Sequence, residues 1–242
     1  MSGPEIDERH AGAILSVNLD SIQANYHLLL ERLGGVPCAT VVKANAYGLG
    51  VERVAPALAK AGCSIFFVAH LEEGVGLRQI LTNAEIHVLN GLLPGSEESY
   101  RTYRLTPVLN SLGEIKSWKR FCRETPLACD IHVDTGMLRL GLQPKELETI
   151  EDDPSIVASL NVVNVISHLS SADETNSTQN SEQLARYRRV RKILPLGRAC
   201  FTNSSGIFLG PKYHFDLARP GVALYGVAPV PDQPNPLNAV VG

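Results

Sequence analysis

Ser64-Ile65-Phe66-Phe67-Val68, residues 64–68, carries four large apolar side chains in succession with no polar alternation. A half-buried strand would alternate, so this run predicts a strand covered on both faces, as in a parallel sheet packed under helices. Seven similar runs follow the same reading: Ala39–Val42, Glu85–Leu89, Leu105–Leu109, Ala128–Val133, Leu160–Ser167, Arg198–Thr202 and Val222–Gly226. Amphipathic stretches separate most of them. Val51, Val54, Ala55, Leu58 and Ala59 recur at helical spacing, with Pro56 expected to kink or delay that helix. Ser111 and Glu114 form an S-x-x-E start signal ahead of Ile115 and Trp118. Ser181–Leu194 reads as another helix, with Arg186, Arg188 and Arg189 on its outer face. Eight strands alternating with helices predict an α/β fold of the (β/α)8 TIM-type barrel, typically ~250 residues long. A doubly wound open sheet is the competing arrangement, which a strand count alone does not exclude.

The 242 residues are 44% apolar and 19% charged, with a formal net charge of -3. That suffices for a large buried core, whereas a disordered chain would carry more charge and fewer aliphatics. Near-balanced charge lacks the general attraction that nucleic-acid binding uses, so no nucleic-acid partner is expected. No apolar run approaches the ~20 residues of a membrane helix. Met1–His10 has no signal-peptide core, and the expected location is the cytoplasm, away from membranes. Cys38, Cys63, Cys122, Cys129 and Cys200 are odd in number and never form C-x-x-C, which reads as reduced, buried thiols.

Both ends depart from the repeat. Residues 1–12 read as a tail. Ala13–Asn18 reads as an extra strand before a helix from Ser21 to Leu33 capped by Asp20, and residues 13–227 form the barrel unit. Residues 228–242 hold four of the 15 prolines and read as a linker toward something beyond, so the chain looks truncated.

The strongest chemical signal is Val41-Val42-Lys43-Ala44-Asn45-Ala46-Tyr47-Gly48-Leu49-Gly50. A lysine at the C-terminal end of a buried strand stands on the catalytic face of a barrel. Desolvation there lowers its proton affinity and makes it a Schiff-base nucleophile, although a bare lysine at a strand end more often snorkels to water. The Tyr and glycines that follow suit close approach by an anion. Ser204, after the seventh strand, and Gly221-Val222, opening the eighth, occupy the loops where many barrels place a phosphate. Locally, Ser204 reads equally well as a turn or helix cap. His132, Asp134 and His168 lack the spacing of a metal site, and no metal is expected.

The decamer resembles the cofactor-lysine motif of the pyridoxal-phosphate-dependent alanine racemases. Four further segments resemble that family in order: Asp134-Thr135-Gly136-Met137-Leu138-Arg139-Leu140-Gly141, Ser167-His168-Leu169-Ser170-Ser171-Ala172-Asp173, Asn203-Ser204-Ser205-Gly206, and Arg219-Pro220-Gly221-Val222-Ala223-Leu224-Tyr225-Gly226. The resemblance implies pyridoxal 5'-phosphate as cofactor, joined to Lys43, which also acts as one of two racemising bases. It implies cofactor contacts from Tyr47, Arg139, His168, Asn203, Ser204, Arg219, Gly221 and Val222, with Arg139 also serving the substrate. Arg219 would face the pyridine nitrogen, His168 the ring, and Arg139 the phenolic oxygen. Interconversion of L- and D-alanine would supply cell-wall peptidoglycan, in a homodimer acting on a small amino acid.

The resemblance also implies a second, mostly β domain that lends a tyrosine to the partner's site, and Ala13–Asn18 would pack on that domain. None of Tyr100, Tyr103, Tyr187, Tyr213 or Tyr225 stands in its motif. Position 132, where many members carry a carbamylated lysine supporting the arginine, is His132, which leaves the support of Arg139 open. The rival reading is a stand-alone pyridoxal-phosphate-binding barrel, a carrier or regulator without racemase activity.

Overall fold

The computed structural model describes residues 11–242, so most of the expected 1–12 tail lies outside the described residues. Seven parallel strands, each paired with the next in sequence, form one curled sheet: β1 (Thr40–Val41), β2 (Ile65–Val68), β3 (Glu85–Val88), β4 (Thr106–Leu109), β5 (Ala128–His132), β6 (Asn161–Ile166) and β7 (Arg198–Cys200). Helices α3 (Val51–Lys60), α4 (Leu71–Ile80), α5 (Glu97–Thr102), α6 (Leu112–Phe121), α7 (Pro144–Asp152) and α8 (Thr178–Ile193) alternate with them, and α1 (Leu19–Leu33) precedes the set. Consecutive parallel pairing with intervening helices makes this an α/β barrel and rules out the reordered strands of a doubly wound sheet.

The quoted run behaves as its pattern requires. Phe66 points outward into the core between sheet and helices, whereas Phe67 points inward among Val41, Val108, Ile166 and Leu217. Both phenylalanines are fully buried.

The eighth run is a correction. Val222–Tyr225 winds as a 3-10 turn instead of a strand. The gap between β7 and β1 is filled by the segment just before it. Ala39 N–H donates to the Ala218 carbonyl at 2.9 Å, Val41 N–H to Pro220 at 3.0 Å, and Arg219 N–H to Thr202 at 3.0 Å. Proline has no N–H to donate to a ladder, which helps explain why this closure stays irregular.

Smaller corrections concern helix signals. Asn18, not Asp20, caps α1, its side chain accepting the Ser21 N–H at 2.9 Å, and the helix starts at Leu19. The helix α3 runs through Pro56. Ser111 caps α6 as expected, but the Glu114 carboxylate returns to the N–H groups of Leu92 and Asn110. At the ends, Val17 bridges Val241 antiparallel, so residues 240–242 of this chain occupy the edge expected to meet a further domain. All five cysteines are buried free thiols.

The lower interior of the barrel is ionic. His87 is fully buried, with Nδ1 2.6 Å from Asp130 and Nε2 2.8 Å from Glu85. Asn164 donates to Asp130 at 2.7 Å, and Arg198 joins Asn164 at 2.8 Å and also pairs with Glu85. These side chains come from β3, β5, β6 and β7, with Asp130, Asn164 and Arg198 directly in register. His87 also stacks on Phe67, ring centroids 4.4 Å apart.

Candidate active site

The C-terminal strand ends surround a cavity of about 350 Å³. Lys43, Tyr47, Arg139, His168, Asn203, Ser204, Arg219, Gly221 and Val222 all line it, so every site residue expected from the sequence comes to one place.

Lys43 begins α2 (Lys43–Tyr47), a short turn just past β1. Ala44, Asn45, Ala46 and Tyr47 all have φ between 52° and 55°, so the turn winds left-handed without a glycine. That conformation costs roughly 1–2 kcal/mol per residue and persists only where surroundings hold it. Gly48 N–H closes it onto the Ala44 carbonyl at 2.9 Å, and the Asn45 side chain accepts the Val51 N–H at 2.8 Å. Burial pushes the Lys43 pKa down from the usual lysine range, Arg139 and Arg219 push the same way, and Glu73 opposes them. A larger fraction of free amine at neutral pH follows. The Lys43 ammonium lies 5.8 Å from the Tyr47 ring centroid.

At the opposite wall, Ser204 Oγ accepts the N–H of Gly221 at 3.0 Å and of Ala223 at 3.2 Å, which leaves its hydroxyl hydrogen to donate. The Val222 N–H opens the 3-10 turn and has no backbone acceptor among the described residues. A Cβ on Gly221 would stand 2.3 Å from the Tyr47 hydroxyl, so only glycine permits that approach. A hydroxyl donor, a free N–H and a phenol converging on one spot form an anion cradle. Asn203 lines the cavity, but its amide holds the turn: it donates to the Leu169 carbonyl at 3.1 Å and accepts the Gly206 N–H at 2.9 Å.

Arg219 is 4% exposed. Its Nε donates to Cys200 Sγ at 2.9 Å, its Nη2 donates to the Ser167 carbonyl at 2.7 Å, and its guanidinium carbon lies 5.5 Å from the Phe67 ring centroid. Burial lifts the Cys200 thiol to about 11 despite Arg219, so it accepts without neutralising the cation. No carboxylate pairs with Arg219 among the described residues. A buried guanidinium lacking a counter-ion is costly, as expected of a group kept for a ligand.

His168 and His132 are both neutral. Burial, then Arg219 and Arg139, drives the His168 pKa well below the imidazole range. His132 is lowered to about 3 by burial and Arg219, and its Nδ1 lies 2.8 Å from Asn110 Oδ1. A neutral His132 brings no negative charge to Arg139, which is exposed and has no hydrogen-bond partner among the described residues. The loop carrying Arg139 is instead fixed by Asp134, whose Oδ1 accepts the N–H groups of Gly136 and Met137, each at 2.8 Å. Burial raises the Asp134 pKa, but these N–H groups outweigh it and hold it below the usual range.

Residue-type reasoning missed Asn90, Leu89 and Ile166 on the cavity wall and Cys200 and Phe67 behind Arg219. They stand within or just past the C-terminal ends of strands, so inspecting the last residues of each run and the one after it would have found them.

The match to known proteins is extensive. Residues 17–229 fit the family model described as "Alanine racemase, N-terminal domain". A catabolic alanine racemase of Mesorhizobium japonicum is 48% identical over 100% of this chain and 64% of its own length. An alanine racemase of Rhodospirillum rubrum is 46% identical over 97% of this chain, again 64% of its own length. A crystal structure of alanine racemase from Bartonella henselae with covalently bound pyridoxal phosphate superposes with a TM-score of 0.91 at 42% identity, over 96% of this chain and 65% of that one. This chain thus spans about 64% of the length of the curated relatives it matches.

Proposed function

We propose, from the premise that this chain belongs to the alanine racemase N-terminal domain family, that it is the cofactor-bearing barrel of a racemase interconverting L- and D-alanine with pyridoxal 5'-phosphate. One observation carries the reading. Among the described residues, the cavity wall bears three basic side chains, Lys43, Arg139 and Arg219, and no carboxylate. It therefore suits a dianionic ligand, with the cradle at one end and a free amine at the other.

When bound, pyridoxal phosphate supplies a carbonyl carbon for covalent attachment and a ring that draws electrons from the substrate Cα. Ser204, Tyr47 and the Val222 N–H would hold its phosphate, with Gly221 bordering it and leaving room for the Tyr47 hydroxyl. Asn203 shapes the turn that presents Ser204. Arg219 would donate toward the ring nitrogen and, being unable to surrender a proton, keep that nitrogen unprotonated. The neutral His168 would line the ring's side of the cavity without adding charge. Arg139 would hold the phenolic oxygen and the substrate carboxylate as anions. Lys43 would hold the cofactor and, as a free amine, would take up or return a proton at the Cα on one face.

The opposite face needs a second base, and among the described residues Tyr47 is the one tyrosine of the cavity wall. We assign that base to a second domain of a partner subunit, and with it a homodimer, an amino-acid substrate and a cytoplasmic location. Residues 13–227 form the cofactor-bearing unit, and residues 228–242 lead toward that domain. Racemisation is symmetric, so D-alanine supply for peptidoglycan and alanine breakdown are both served. The name of the Mesorhizobium relative favours the second.

The cofactor-loaded chain in deuterated water tests the reading by NMR and chiral chromatography. One enantiomer of alanine, the one whose Cα hydrogen faces Lys43, is expected to exchange that hydrogen with retention, while net racemisation runs about 10²–10⁴-fold slower than with two bases. Conversion within about tenfold of a two-base enzyme would contradict the assignment of the second base. Cofactor fixed on Lys43 with no Cα exchange would favour a carrier. A second expectation concerns the cradle: Gly221→Ala displaces the Tyr47 hydroxyl and weakens pyridoxal phosphate binding about tenfold by equilibrium dialysis, the equivalent of one charged hydrogen bond. Unchanged binding would remove Tyr47 from the cradle.

A further inference from the structure

The lysine turn is tied down by a carboxylate that the cavity wall does not include. Glu73 stands in the first turn of α4. Its Oε1 accepts the Ala44 N–H at 2.6 Å, and its Oε2 accepts the N–H groups of Ala69 at 2.7 Å and His70 at 3.1 Å. One side chain thus gathers three backbone donors from the loops following β1 and β2. Charge-assisted bonds of this length are among the strongest available to a carboxylate.

Ala44 is the point that matters. It directly follows Lys43 and is the first of the four residues with positive φ. A carboxylate gripping its N–H fixes the step at which the chain enters the left-handed turn, while Asn45 fixes the exit through Val51. Lys43 immediately precedes the first of these anchors. The groups that act on its amine are Arg139 and Arg219, both cationic, and Glu73. Tyr47 lies alongside, and the two histidines of the cavity, His168 and His132, are neutral. Among the described residues, Glu73 is therefore the negative charge that offsets the two positive ones at Lys43.

We propose that Glu73 is a positioning residue for Lys43, clamping the left-handed turn that aims the lysine into the cavity and providing the negative charge beside its amine. The inference rests on Lys43 being the reactive amine of the site. Clamp and charge make opposite demands on two variants. Glu73→Gln keeps the length and one acceptor oxygen but removes the charge, so the amine should give up its proton more readily. Glu73→Asp keeps the charge but is one methylene too short to span all three donors. The turn should then loosen, and Lys43 should move toward water and toward ordinary lysine behaviour.

Competitive acetylation of the full chain without cofactor, followed by peptide mapping across pH 6–10, reads the titration of Lys43 directly. Glu73→Gln is expected to acetylate Lys43 roughly threefold faster than the parent at neutral pH, its midpoint moved down, and Glu73→Asp more slowly, its midpoint moved up. Thermal melts run in parallel. Variants that lose stability while leaving the Lys43 midpoint where the parent has it, or that move it in the same direction, overturn the proposal. Should Glu73→Gln not fold, the decision passes to Glu73→Asp, for which an unmoved or lowered midpoint is the overturning result. Because acetylation needs no cofactor, it is independent of whether pyridoxal phosphate attaches. Absence of a borohydride-fixed label on Lys43 in the parent would count against the proposed function alone.

Discussion

Replacing His87 with alanine is expected to destabilise the barrel by about 3–5 kcal/mol, measured by urea unfolding at pH 7, because it strands a buried carboxylate. Asp130 is fully buried and would keep only Asn164 as partner. The effect carries a pH signature. Burial alone would lower the His87 pKa, but Asp130 and then Glu85 outweigh it and raise it from 6.5 to about 9. A group whose pKa is raised on folding adds stability that is complete below its unfolded value and lost as pH climbs through its folded one. The parent should therefore lose stability between about pH 6.5 and pH 9, and His87→Ala should flatten that stretch of the curve. Equal slopes in parent and variant would mean that His87 is neutral in the fold and that the ionic layer is held differently.

Arg219→Leu should move stability and binding in opposite directions. The parent buries a guanidinium against a thiol, a carbonyl and an aromatic face, with no counter-ion. Relieving that should stabilise the cofactor-free chain by about 1–2 kcal/mol in the same unfolding experiment. Binding of pyridoxal phosphate should weaken about 30-fold, the equivalent of a hydrogen bond to a charged group. A variant that loses stability and binds as the parent does would make Arg219 a packing residue.

The seven strands were legible because each is a short run between turn signals. The eighth run was misread as a strand for a physical reason. Val222-Ala223-Leu224-Tyr225 has strand composition, but these residues coil so that the N–H groups of Gly221 and Ala223 reach Ser204. The segment that fills the gap, Leu217-Ala218-Arg219-Pro220, mixes a charge and a proline and gives no apolar signal. Lys43 and Ser204 were legible as chemistry at strand ends, whereas the role of Arg219 came only from the family resemblance. The left-handed turn was not legible, since only Asn45 among Ala44-Asn45-Ala46-Tyr47 favours positive φ. It is held by Glu73 from outside and by the Asn45 side chain from within. The ionic layer left a faint trace in Glu85-Ile86-His87-Val88, where polar and apolar residues alternate inside a strand read as wholly buried. Its partners on β5, β6 and β7 become visible only through register.

Whether this cavity receives pyridoxal phosphate on Lys43 is decided by incubating the chain with the cofactor, reducing with borohydride and mapping the peptides. A single stoichiometric pyridoxyl mass on Lys43 is expected, with an absorption band at about 400–430 nm before reduction, as for a lysine-bound pyridoxal. A label spread over the surface lysines, or none on Lys43 at saturating cofactor, would contradict that attachment.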